Sequence, residues 1–228
     1  MRDISANNRT KYISVFKHSD NSHFYLLLSW IVFFVLYIVT ENFIPAEACF
    51  VMHSKIDDII PFCEWFLIPY VFWYFLVAGS LIYFAFKNKQ SFKKLQCFII
   101  ITQVVAMATY VLFPNMQNLR PSMFERDNLL TRGVSLIYSF DTNTNVCPSL
   151  HVAYSVAVVS VWLKEKAASR SIKAFVLLSV ILICLSTVFI KQHSVIDVIC
   201  ALVLCIFAET MVYGRYWKEQ IIKNSPLY

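Results

Sequence analysis

Residues 24–43 read FYLLLSWIVFFVLYIVTENF, with Glu41 as their one charged side chain. About 20 apolar residues in helical form cross a bilayer core of about 30 Å, so this run predicts a transmembrane helix. It is too long for the apolar core of a signal peptide. No small-residue cleavage site follows it, and no cleavable leader is expected. Five more apolar runs lie at 65–86, 95–113, 150–163, 172–190 and 195–213. The run at 150–163 has the length of a buried or re-entrant segment. It is read as a span because the charges on either side of it require a crossing there. Pro69 falls in the second run, where a kink is tolerable if neighbours satisfy the freed carbonyl.

The rest of the chain agrees with this reading. Of its 228 residues 58% are hydrophobic and 15% charged, with 20 Phe and only 3 Gly, and mean hydropathy is +0.60. Soluble domains carry far more charge, and collagen-like, disordered and Gly-rich β architectures are disfavoured. The predicted fold class is therefore all-α, a polytopic membrane helix bundle with six transmembrane helices. Fifteen of the 20 Lys and Arg residues fall on one side, in 1–23, 87–94, 164–173 and 214–228. That side should be cytoplasmic. The chain then divides into a cytoplasmic N-terminal segment (1–23), a membrane domain (24–213) and a cytoplasmic tail (214–228), with both termini inside. The net charge of +6 follows from topology, and no RNA- or DNA-binding pattern accompanies it. The expected location is a bacterial plasma membrane.

The outer face receives the connections 44–64 and 114–149. Cys49, Cys63 and Cys147 lie there, where a disulfide is allowed, but the seven cysteines contain no CxxC pair and no zinc-type spacing. Asp57, Asp58 and Glu64 read as solvated loop charges. No metal and no cofactor is expected. Trp65, Tyr70, Trp73 and Tyr74 read as an interfacial aromatic belt. Glu209, near the cytoplasmic end of the last span, should pair or snorkel.

Ionisable groups at membrane depth are costly and mark function. His193 and Asp197 are four residues apart at the start of the last span, so they share one helix face. A carboxylate there holds one imidazole nitrogen and leaves the other free to attack. His151 opens the fourth span, where a helix N-terminus favours anions. Arg120 and Lys191 supply cations for phosphate oxygens. Two His, one Asp and two cations on one side of the membrane form a phosphoryl-transfer constellation.

Pro148-Ser149-Leu150-His151, the set Ser186, His193 and Asp197, and the pair Arg120-Pro121 together resemble the type 2 phosphatidic acid phosphatase superfamily over about residues 60–213. The resemblance implies a six-span core with His193 as nucleophile, Asp197 orienting it and His151 as general acid. It also implies that Arg120 and the segment holding Ser149 bind phosphate. Two family cations are missing: Phe113 stands where the pattern has Lys, and Thr187 where it has Arg. Lys191, one turn after Thr187, is the expected replacement. The Ser-Leu-His and Lys-Gln-His wording looks closest to the branch with inositol phosphorylceramide synthases, which are inositolphosphotransferases.

The expected activity is metal-independent removal of phosphate from a lipid phosphate or pyrophosphate at the outer leaflet, with the bilayer as its setting. One alternative is transfer of a phospho-headgroup to a lipid or sugar alcohol. Another is a non-catalytic scaffold or transporter. The orientation is directly testable: an impermeant thiol reagent on intact cells should label Ser139→Cys beyond the parent chain and leave Ser169→Cys unlabelled. The opposite pattern would invert the topology.

Overall fold

The computed structural model describes residues 22–223, and side chains through 219. Arg2, Arg9, Lys11 and Lys17 lie outside the described residues. A 3-10 turn, Ser22–Leu27, leads into α1, Leu28–Phe43. The connection after α1 holds a strand, β1 (Phe50–Val51), and a short helix, α2 (Lys55–Ile59). Then come α3 (Leu67–Lys87), α4 (Lys89–Leu112), a second strand β2 (Asn115–Met116), α5 (Leu129–Phe140), α6 (Leu150–Lys164), α7 (Arg170–Phe189) and α8 (Val195–Lys223). The two strands pair in parallel, a minor addition to an otherwise helical chain.

Short polar residues set the helix starts. Ser54, Asn88, Asn128, Ser149 and Ser169 each accept a backbone N–H of the helix they precede. Asn88 also closes α3, so the connection between α3 and α4 is one residue. The basic residues Lys89, Lys93 and Lys94 accordingly stand on the first turns of α4, where the sequence suggested a loop. Pro69 is the third residue of α3, where its missing N–H has no intrahelical partner to lose, so no kink is required. The last helix runs on to Lys223, well past the boundary at 213 read from the sequence.

Five of the described helices are long and apolar enough to cross a membrane. The exception is α6, 15 residues and about 22 Å long. It packs against α3, α4, α7 and α8. Val152, Ala153, Tyr154, Ala157, Val158 and Val161 are all buried on it. Ala153 and Ala157, one turn apart, let neighbouring backbones approach closely, the usual way helices pack in lipid. A helix sheathed by other helices is not held to the thickness of the hydrocarbon. Around this axis α3, α4, α7 and α8 contribute Trp73, Phe84, Phe98, Ile183 and Ala208 to one buried cluster. Phe34, Phe75, Leu112 and Ile206 point outward as the lipid-facing surface of the bundle.

One end of the bundle carries polar ties. Asn88 Nδ2 and Ser91 Oγ donate to Glu165 at 2.8 and 3.0 Å. Glu209 meets Lys164 at 2.6 Å and accepts the Ser160 hydroxyl at 2.6 Å, the pairing expected for it. All seven cysteines are free. The close packing on α6 predicts that Ala157→Leu will destabilise the protein by about 1–3 kcal/mol, whereas the lipid-facing Ile206→Leu will shift stability by less than about 0.5 kcal/mol. Thermal unfolding in detergent measures both.

Candidate active site

The turn between α7 and α8 sets the geometry. Lys191 lies there with φ of 56°, in the left-handed region. The carbonyls at this helix end have no helical partners, and distant segments supply donors. Cys63 N–H bonds the Phe189 carbonyl at 3.0 Å. The Tyr138 hydroxyl bonds that of Ile190 at 2.6 Å and Gln117 Nε2 that of Lys191 at 3.0 Å. The Thr187 carbonyl accepts the N–H groups of Gln192 and His193. On the other side Asp57, 2% exposed, accepts from Ser194 Oγ at 2.6 Å and from Val195 N–H at 2.8 Å, capping α8. Asp57 is thus a buried anchor and not the solvated loop charge that its sequence context suggests. Glu64 is also buried, with Asn128 Nδ2 at 3.3 Å. Asp58 stays exposed beside His53.

Held this way, His193 places Nδ1 3.4 Å from Asp197 Oδ2, and that same oxygen accepts Ser194 N–H at 2.8 Å. Both side chains are buried. The Asp197 carbonyl accepts Ser149 N–H at 3.2 Å, joining the start of α8 to the start of α6. Ser149 Oγ caps α6 through Val152 N–H. The segment leading to it is fixed by Asn115, fully buried, whose side chain bonds Val146 N–H, Cys147 N–H and the Cys147 carbonyl. Tyr110 donates its hydroxyl to the Pro148 carbonyl at 3.0 Å. These ties bring the rings of His151 and His193 to 5.7 Å between centroids. Trp73 and Tyr70 pack on His151 at 4.3 and 4.6 Å, so both belong to the site, not to an interfacial belt. Trp65 is exposed in the 3-10 turn just before α3.

His151 and His193 open into a cavity of about 370 Å³ walled by Trp30, Phe33 and Tyr37 of α1, Trp73 and Tyr74 of α3, and Asp141. His151 Nε2 is buried there with no partner among the described residues. The two expected cations are elsewhere. The Lys191 ammonium donates to the carbonyls of Asp57 and Ile60 at 2.7 and 2.6 Å. Burial lowers its pKa, opposed by the nearby charges of Asp57 and Asp58. Arg120 donates to the carbonyls of Tyr138, Asp141 and Thr142, and its guanidinium lies over the Tyr138 ring at 4.4 Å. It closes the C-terminal end of α5, and burial pulls its pKa down against the charge of Asp141. Among the described residues no cluster of His, Cys, Asp or Glu has metal-site geometry.

A family model described as the PAP2 superfamily matches residues 94–221. The chain belongs to the PAP2 superfamily. Neither a curated protein nor a solved structure matches it. The match takes in Arg120, His151, His193 and Asp197, and it starts after α3 although the motif reading extended to residue 60. Membership in the PAP2 superfamily and the five long apolar helices make this an integral membrane protein with phosphatase or phosphotransferase chemistry on phosphate esters.

At the two positions where the PAP2 motifs carry cations, this member has packing groups. Phe113 stacks on Phe50 at 4.3 Å, and Thr187 is fully buried with its hydroxyl on the Cys184 carbonyl. Asp57, Asn115, Asp141 and Gln192 join or hold the site through contacts that the sequence does not signal, because the partners that tie them there lie more than 20 positions away. Asp57 yields a prediction. Asp57→Ala strands the Ser194 hydroxyl and the N-terminus of α8, and should cost about 2–4 kcal/mol, with Asp57→Asn retaining part of the stability. Thermal unfolding of the two variants checks this.

Proposed function

We propose that this PAP2 superfamily member hydrolyses a lipid phosphate or pyrophosphate at the outer membrane face through a phosphohistidine. The observation that carries the reading is the His193–Asp197 contact with the His151 ring 5.7 Å from that of His193, in one cavity. Asp197 holds Nδ1–H of His193, so Nε2 presents its lone pair. Nε2 attacks phosphorus while the bond from phosphorus to the leaving oxygen breaks. His151 gives that oxygen its proton. Water then attacks the phosphohistidine, His151 takes the water proton, and phosphate departs with His193 restored. The N-terminus of α6, capped by Ser149, adds positive dipole beside the phosphate. Arg120 serves by holding the end of α5 in place. The proposed topology has six crossings with α6 among them and both ends inside, following the basic-residue asymmetry.

A second reading replaces water by a lipid or sugar alcohol, as in the inositolphosphotransferase branch. The Lys191-Gln192-His193 wording favours it. Phosphate release with and without alcohol acceptors separates the two.

Turnover of ³²P-labelled lipid phosphate, quenched in base, should trap an acid-labile adduct that His193→Ala abolishes. An undiminished adduct in that variant would move the nucleophile elsewhere. His151→Ala should slow adduct formation by about 10²–10⁴ for an alkoxide leaving group and far less for an activated aryl phosphate. Activity should persist in excess chelator, since no His, Asp or Glu cluster has ligand geometry among the described residues. A strict requirement for added divalent metal would defeat the mechanism.

A further inference from the structure

The cavity around the two histidines is unusual for a site that handles phosphate. None of the residues that line it is Lys or Arg, and two of them, Glu41 and Asp141, are carboxylates. A phosphate ester placed directly against Asp141 and Glu41 would meet like charge on this part of the wall. Glu41 accepts the Thr142 hydroxyl, and Asp141 Oδ2 accepts the Tyr70 hydroxyl at 2.7 Å and Gln192 Nε2 at 3.0 Å. Neither carboxylate has a salt-bridge partner among the described residues; Arg120 reaches the backbone carbonyl of Asp141, and Lys191 those of Asp57 and Ile60.

Gln192 supplies independent evidence for a ligand. A carboxylate only accepts, so the amide atom beside Asp141 is the nitrogen, and Oε1 is fixed as the other atom. That oxygen is buried without a donor, on a residue 2% exposed that lines the same cavity. Trp73 Nε1, on the opposite kind of wall, is a buried donor without an acceptor. The cavity therefore offers one unfilled acceptor, on the residue that bonds Asp141, and an unfilled donor beside His151. Trp30, Tyr37 and Tyr74 provide aromatic faces that attract cations.

We propose that this cavity is a subsite for an alkylammonium group, so that the substrate is a zwitterionic phosphate ester with an amine on its headgroup. This rests on the histidine chemistry proposed above and replaces the phosphomonoester there by a phosphodiester that carries an amine headgroup. The ammonium lies against Asp141, Glu41 and Gln192 Oε1, and a phosphate oxygen takes the Trp73 N–H. His193 Nε2 then bonds to phosphorus, the bond from phosphorus to the glycerol oxygen of the lipid breaks, and His151 protonates that oxygen. The phospho-amine stays on His193 until water or an alcohol removes it.

The test uses the full chain carrying His193→Ala, which binds without turnover, in detergent. Tryptophan fluorescence follows titration with phosphoethanolamine, phosphocholine, glycerol 3-phosphate and inorganic phosphate. The amine-bearing esters should bind at least tenfold more tightly than glycerol 3-phosphate. Asp141→Asn and Glu41→Gln, each added to His193→Ala and checked for an unchanged unfolding midpoint, should reduce that ratio towards one. A preference for phosphoethanolamine over phosphocholine would mark hydrogen bonding to the ammonium, and equal binding would mark the aromatic faces. Equal affinity for all four ligands, or a preference that survives both substitutions, overturns the subsite. A parallel assay of the parent protein on vesicles of phosphatidylethanolamine or phosphatidic acid keeps the readings apart. Selective binding with no phosphohistidine on any lipid removes the catalytic reading alone. Turnover of phosphatidic acid without selective binding removes the subsite alone.

Discussion

Backbone carbonyls at the end of a helix need donors, and the C-terminal end of α7 is buried in protein, so water cannot supply them. Cys63, from the connection before α3, and Gln117 and Tyr138, from the connection between α4 and α6, bond Phe189, Lys191 and Ile190. Lys191 returns the favour by donating to the carbonyls of Asp57 and Ile60. Both connections are thereby tied to the same few residues. His193 sits inside this knot, and its orientation follows from hydrogen bonds that have nothing to do with phosphate. The same logic fixes the second histidine, because Asn115 and Tyr110 satisfy the backbone on the approach to Ser149.

This arrangement explains the fate of the cations. A Lys or Arg that completes a buried hydrogen-bond network is unavailable for a ligand, whatever its distance in sequence from the catalytic motif. Arg120 closes α5, and Lys191 clamps the connection between α1 and α3. With Phe113 and Thr187 in packing roles, the cavity is left with aromatic faces, two histidines and two carboxylates. Charge in a cavity of low dielectric is strongly felt. On the proposed reading, the sign of the wall is what would discriminate among phosphate esters that share the same reacting atoms.

The shortness of α6 has a related cause. Lipid thickness constrains helices that face lipid, and α6 faces other helices on its α3, α4, α7 and α8 sides. Its small residues permit this enclosure, and the enclosure places the N-terminus of α6 beside that of α8. Two parallel helices that begin together bring His151 and His193 to one level.

From the sequence alone, the membrane-bundle class, the long apolar helices and the pairing of His193 with Asp197 are all legible. They depend on hydropathy and on helical spacing, which are local properties. The family motifs around His151 and His193 are local as well. What the sequence misassigned depends on long-range contacts: Asp57 as a solvated charge, and Tyr70 and Trp73 as a belt, whereas both pack on His151. A side chain's burial and partners are set by segments far along the chain. Asp57 meets Ser194 across 137 positions and Gln192 meets Asp141 across 51, separations that carry no periodic signal. Local patterns therefore decided that there is a bundle and a histidine pair, while only the tertiary structure decided which charges reach the cavity, because that is a matter of which buried polar groups had first to be satisfied.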